Sequence, residues 1–306
     1  MTASVLDAVQ KGYQRTITAR TGVAILYAAN LLLVLPLAYA LRATLLAAAG
    51  ASLETGVLNA GFDFQIVSDI IRNNSGALGT LFTAAIGVIL ISFPLSIFLS
   101  GGIVASVRQD DLTVTAAEVL AAAAAYFWRF LRLAAIVFAA WLLVAIPLLA
   151  VVFWSTGMWQ AGAQSEVPGT ISLGLRLLSL ALLAIPLVMA YDYARIDAVM
   201  TGGNSMRRCA WRGVRFMYRR LGRTIKLQLL LMLLFGLLAA VYVLLADILG
   251  TASPAALAAM VVVQQLYVFK RMGLRVFGFA SESVLYRELN PVGGGIPGWD
   301  AGHSWG

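Results

Sequence analysis

Six stretches of this chain run for about twenty residues with almost no charge, the length that crosses a bilayer as helix. They lie at 22–46, 79–107, 133–155, 171–193, 227–248 and 254–272. The fourth continues as helix to about 200 and the sixth to about 287, beyond the hydrocarbon. Between them lie three segments in which apolar residues recur at the helical period instead, one face polar and one apolar.

The first such segment is 4–20. Val5, Val9, Tyr13 and Ile17 share one face, and Asp7, Lys11, Gln14, Arg15 and Thr18 share the other. The second is 115–132. Thr115 and Glu118 fit a capping box, each side chain satisfying a backbone donor of the first helical turn. Glu118, Arg129 and Arg132 mark its polar stripe, while Leu120, Phe127, Trp128 and Leu131 face elsewhere. The third is Ser205 to Lys226, with Asn204 or Ser205 as N-cap. Its cations Arg208, Arg212, Arg215, Arg219, Arg223 and Lys226 recur every three or four residues. At about 100° per residue they fall within roughly 80° of one another. Met206, Ala210, Val214, Met217 and Leu221 point away, with Trp211 and Tyr218 at the boundary. The spacing predicts one helix running without a break into the apolar stretch Leu227–Ala246. Such a helix lies along a membrane surface, apolar side in the acyl chains and cations at the lipid phosphates.

The order of elements reads as a threefold repeat of surface helix, odd span and even span, in units of about 4–107, 115–200 and 204–287. Leu32-Leu33-Val34-Leu35-Pro36 resembles Leu142-Leu143-Val144-Ala145-Ile146-Pro147, which is one residue longer, and Pro94-Leu95 parallels Pro186-Leu187. The third unit lacks both prolines and has Gly236 as its flexible point. Stacked similar units pack one another's faces, a common construction in membrane proteins. In the long loop 48–78, Phe62, Phe64, Val67, Ile70 and Ile71 predict a short helix resting on the outer interface. The Gly- and Pro-rich segment 290–306 reads as a disordered tail after a single membrane domain, 1–289.

Composition agrees with this pattern. A soluble domain averages about 45–50% apolar and about 25% charged residues, whereas this chain is 61% hydrophobic and 12% charged. The fold class is therefore all-α, a polytopic bundle of six transmembrane helices. The net charge of +8 is unevenly spread. With both termini on one side, the opposite loops hold Arg42, Arg72 and Arg176 against Glu54, Asp63, Asp69, Glu166 and Asp247. All other cations and acids fall on the side of the termini. The positive-inside rule then places both termini in the cytoplasm. A cleaved signal peptide, suggested by Ala38-Tyr39-Ala40, is disfavoured by the leader of some 20 residues and by the apolar run beyond Leu41.

Candidate chemistry is sparse. Asp192 and Arg195, with Asp197 beyond them, stand at the inner end of span four. They read as an ion path or, preferred at interface depth, as a structural pair on one helix or with Lys270 or Arg271. Gln264 and Gln265, mid-span six, line a polar path or bond across a helix interface, and Asn30 of span one could be their partner. Ser92, Ser96 and Ser100, followed by Gly101 and Gly102, form a small-residue stripe that lets two backbones approach. The six cations of the third surface helix are assigned to lipid phosphate at about 1 kcal/mol per cation. Nucleic acid is a poor partner, because the aromatics face the membrane and no nucleic-acid module accompanies them. The single Cys209 excludes an internal disulfide and a cysteine metal cluster. His303, also single, excludes a histidine triad or metal centre, so no cofactor is expected. Phosphate-loop, nucleophile-elbow and zinc-protease motifs are absent.

Several short motifs carry a resemblance: Gly61-Phe62-Asp63 after span one, Gly101-Gly102 ending span two, Tyr191-Asp192-Tyr193-Ala194-Arg195 ending span four, then Gln264-Gln265-Leu266-Tyr267 and Leu285-Tyr286. In this layout the chain resembles bacterial six-span membrane proteins of uncharacterised role. It is similar to the membrane domain attached to some glycerophosphoryl diester phosphodiesterases. The resemblance implies a membrane component serving an envelope or lipid-related system. It does not imply the phosphodiesterase activity, since the catalytic domain and its histidine and acids are missing. The expected function is a non-enzymatic, lipid-engaging scaffold with anionic lipid, a protein partner or a second copy as partners. A small-molecule permease with a mid-membrane polar path is the alternative.

Overall fold

A computed structural model describes residues 4–49, 75–108, 114–161, 167–203, 205–250 and 253–290, and all described segments are helical. The loop helix expected at 62–71, the tail and its His303, and the Asn204 cap lie outside them. In chain order the helices are α1 (Val5–Thr18), α2 (Arg20–Ala49), α3 (Ser75–Arg108), α4 (Ala116–Ala140), α5 (Ile146–Ala161), α6 (Val167–Thr201), α7 (Met206–Arg219), α8 (Leu221–Leu249) and α9 (Pro254–Leu289).

Among the described residues, five helical segments are long and apolar enough to cross a membrane: Arg20–Ala43, Gly79–Val107, Ala116–Gln160, Gly169–Thr201 and Leu221–Leu249. The described segments are helical and have the makings of a multi-pass membrane protein. In α9 the glutamine pair and the cations Lys270 and Arg271 lower the mean hydropathy of the apolar half. The second surface helix and the third span are one continuous rod. Five residues of π-helix, Trp141–Ala145, join α4 to α5. The widened turn lies just before Pro147, whose ring nitrogen has no hydrogen to donate back along the helix. It also falls in the segment that is one residue longer than Leu32–Pro36. A π turn absorbs one extra residue without breaking the helix.

Side chains sort by position along the bundle. The main core joins Val23 and Leu26 of α2, Ile103 and Val107 of α3, Phe130 and Leu133 of α4, Tyr193 and Ile196 of α6, Met217 of α7 and Val276 and Ala280 of α9. All lie toward the end of the bundle that carries α1, the start of α4, and α7. A smaller cluster, Ala8, Leu227, Leu231, Phe277, Val284 and Leu285, fixes α1 and α8 to α9. Farther along, large apolar side chains face outward, including Leu143, Trp154, Leu182, Val243, Ile248 and Val262. So extensive an apolar surface would drive a soluble monomer to associate, whereas lipid is a suitable neighbour for it. Away from the core, Arg176 lies within α6, not in a loop. It is held by Thr156 Oγ1 at 2.9 Å and by the Phe153 ring at 4.9 Å.

Three close approaches set the surface helices on the bundle. A Cβ on Gly12 of α1 would overlap Ser281 Oγ of α9 and stand 2.9 Å from that residue's backbone. A Cβ on Gly102 of α3 would overlap the Val119 carbonyl oxygen of α4, and one on Gly101 would crowd Ala123 and Tyr126. A Cβ on Gly213 of α7 would stand 2.7 Å from the Ala194 nitrogen and 2.9 Å from the Ala190 oxygen of α6. Each of the three helices thus meets a neighbour, α9, α3 or α6, without a side chain between the backbones. Counted from their first residues, the three helices agree in burial. The fourth residue of each is buried (Ala8, Val119, Cys209), as is the eighth (Gly12, Ala123, Gly213). The thirteenth is a large exposed hydrophobe: Ile17, Trp128 or Tyr218.

Candidate functional site

Helix α7 is short and does not run on into the apolar stretch. It ends at Arg219, the chain turns at Arg220 (φ −123°, ψ 28°), and α8 begins at Leu221. Arg223 and Lys226 therefore belong to the next helix. The apolar face of α7 is also placed differently from the expectation that it lies in acyl chains. Met206, Cys209, Gly213, Phe216 and Met217 are buried in the bundle, because Gly213 lets the backbone settle on α6. Outward stand Arg207, Arg208, Arg215 and Arg219, together with Trp211 and Tyr218, each about two-thirds exposed.

Arg212 leaves this outward set. Its Nε and Nη2 reach Asp197 Oδ2 of α6 at 2.9 and 2.8 Å, and Nη2 also meets Thr201 Oγ1 at 3.3 Å. The Asp197 side chain is 1% exposed. Its second oxygen accepts the Tyr286 hydroxyl proton at 2.6 Å, and Asn290 Nδ2 donates to that hydroxyl at 3.1 Å. A buried carboxylate needs partners on both oxygens, and here they come from α7 and α9. Burial and the bond to Asp197 hold the Tyr286 phenol protonated. Burial, and then Asp197 beside it, push the Cys209 thiol up to about 11, so it stays unreactive. The rings of Tyr193, Phe216 and Tyr286 pack together below this clasp, with centroids 4.7–6.4 Å apart.

Asp192 pairs with Arg195 on the same helix. The Arg195 guanidinium lies over the Tyr191 ring at 4.1 Å and the Phe279 ring at 4.9 Å. Glu282 of α9, 5% exposed, has one carboxyl oxygen without a hydrogen-bond partner. It lies beyond the apolar part of α9, and burial pushes its carboxyl up to about 7 against the pull of Arg195. Sequence reasoning named Asp197 only as lying beyond Asp192 and Arg195, and did not name Glu282. Both sit on helix faces turned toward neighbouring helices, and neither fits a motif.

The mid-membrane amides separate. Gln265 accepts the Tyr27 hydroxyl proton at 2.9 Å, and the Tyr27 ring meets Phe269 edge-on at 5.6 Å. Its partner is thus Tyr27, one turn before Asn30. Gln264 is exposed. Asn30 instead lines a cavity of about 440 Å³ between α2, α3 and α9, with Ser92, Ser96 and Arg275 as its other polar residues. Among the described residues no three of His, Cys, Asp and Glu come together as a metal site would require. No family model matches the chain, and neither a curated protein nor a solved structure shows significant similarity to it.

Proposed function

We propose that the chain is a non-enzymatic integral protein of a bacterial-type cytoplasmic membrane, with both termini inside. Its inner face engages anionic phospholipid and organises the bilayer, or a partner, in an envelope-related system. The observation that carries this reading is α7, which buries one face on α6 and turns Arg207, Arg208, Arg215, Arg219, Trp211 and Tyr218 outward. Cations with interfacial aromatics on a rigidly seated helix suit phosphates at the bilayer surface. The cation excess on the side of the termini supports the same orientation. In it α9 is the sixth span. Its 36 residues exceed the bilayer core, so residues 254–272 cross and the remainder enters the inner-face core. The shared burial at the fourth, eighth and thirteenth residues of the surface helices supports a threefold repeat. The resemblance to membrane domains attached to phosphodiesterases fits a lipid-related setting.

A permease is the second reading, favoured by the cavity that reaches Asn30. Against it, Gln265 is engaged by Tyr27, and the cavity's rim residues Ile89 and Phe93 are exposed on the outside of the bundle, where lipid would enter. The test is lipid and protein co-purification of the full chain from native membranes, followed by mass spectrometry. The scaffold reading expects anionic phospholipid enriched over bulk membrane, with the enrichment reduced in an R208E/R215E/R219E variant. A bulk lipid profile, unchanged by the variant, would overturn it.

A further inference from the structure

We propose that the space between α2, α3 and α9 is a binding site for one anionic phospholipid. Its acyl chain would lie in the α2–α3 groove and its phosphate on Arg275. This rests on the cytoplasmic placement of the termini proposed above but not on the α7 surface.

Two adjoining cavities make the site. The larger, about 710 Å³, is lined only by apolar residues and glycine, among them Ala28, Leu32, Pro36, Ala84, Gly87 and Ile91. Alanine and glycine on facing turns leave the two spans apart where larger side chains would fill the gap. A Cβ on Gly87 would meet no atom within 4 Å. The smaller cavity shares Ala29, Leu33, Leu95 and Leu99 with the first, so the two adjoin across the α2–α3 seam. Both volumes fall in the range of ligand pockets, about 300–1,000 Å³.

The polar end dictates the headgroup. Ser92 and Ser96 give their hydroxyl protons to the Ile89 and Phe93 carbonyls. Toward the cavity their oxygens therefore accept. The donors there are the Asn30 amide and the Arg275 guanidinium. Arg275 has no carboxylate ion pair among the described residues, and like-charged Arg271 stands one turn away on the same helix. A cation at the polar end of an apolar groove, with no acid paired to it, calls for an anion that brings its own hydrocarbon. Guanidinium binds phosphate oxygens two at a time, and headgroup hydroxyls can donate to Ser92 and Ser96. The occupant is thus an anionic glycerophospholipid from the inner leaflet.

The test uses the full-length protein, stripped of lipid in detergent and titrated with dioleoylphosphatidylglycerol, dioleoylphosphatidylcholine or oleate under native mass spectrometry. Wild type is expected to take one phosphatidylglycerol per chain in preference to the other two. R275Q, which removes the charge, and G87L, which fills the groove, should each weaken that binding by about tenfold. The R208E/R215E/R219E variant should retain the tight molecule, which separates this site from the α7 surface. Equal affinity for phosphatidylcholine, equal affinity for oleate, or wild-type binding by the folded R275Q and G87L proteins would each overturn the proposal.

Discussion

Arg212 of α7 holds Asp197 of α6 through two nitrogens on one carboxylate oxygen, at 2.9 and 2.8 Å. The other oxygen carries the Tyr286 hydroxyl of α9. Two consecutive helices and a third from 89 residues on thus close on one buried charge. Removing Arg212 strands that charge in the core, while its own head, nearly half exposed, is already hydrated in part. R212A should therefore destabilise by about 3 kcal/mol, the cost of an uncompensated buried carboxylate. R212A/D197N should recover part of that loss. Thermal melts of the two variants and of D197N in one detergent complete the double-mutant cycle, and strict additivity would show that the pair is not coupled.

Gly102 and Gly213 should tolerate no side chain. At both, an added methyl meets backbone atoms of the facing helix, so two helices must separate. G102A and G213A should each cost about 1–3 kcal/mol. Gly236 of α8 meets nothing within 4 Å. G236A should leave the melting temperature unchanged or raise it by the helix preference of alanine, about 1 kcal/mol. The comparison of the three midpoints is the check.

Glu282 makes stability depend on pH. Its carboxyl is raised from the ordinary 4.5 to about 7 by burial. Below the ordinary value both folded and unfolded chains hold the proton. As pH rises toward 7 the unfolded chain releases it and the folded chain does not, so stability falls, by an amount on the order of 3 kcal/mol in all. Above 7 the loss is complete. The melting temperature of wild type should drop between pH 5 and 7.5 more than that of E282Q. Parallel curves would remove Glu282 as the cause.

The proposed orientation makes a separate demand. A reporter active only outside the cytoplasm, fused near Gly162 or Thr251, should be active, and a cytoplasm-only reporter there should be silent. The reverse result would invert the membrane.

The spans were legible because hydrocarbon demands long uncharged runs, and 22–46 and 227–248 fall within α2 and α8. The capping residues Thr115 and Glu118 also form the box their spacing suggests. The destination of the α7 apolar face was not legible. Periodicity shows that one face avoids water, but acyl chains and a neighbouring helix satisfy it equally. The distinguishing signal is Gly213 on that face, a residue that a lipid-facing surface does not need and a close helix contact does. The break at Arg220 was hidden because arginine is a good helix former and gives no stop signal. Burial of Asp197 and Glu282 depends on contacts with residues far away in the chain. No local pattern encodes it.

The most direct test of the account is whether the proposed inner face holds anionic lipid. The full-length protein would be reconstituted into nanodiscs from a fixed mixture of phosphatidylglycerol and phosphatidylcholine. The lipid retained after mild detergent extraction would then be quantified for wild type and for R208E/R215E/R219E. The account predicts enrichment of phosphatidylglycerol around wild type and a return toward the mixing ratio in the variant. Retention at the mixing ratio by both proteins would contradict it.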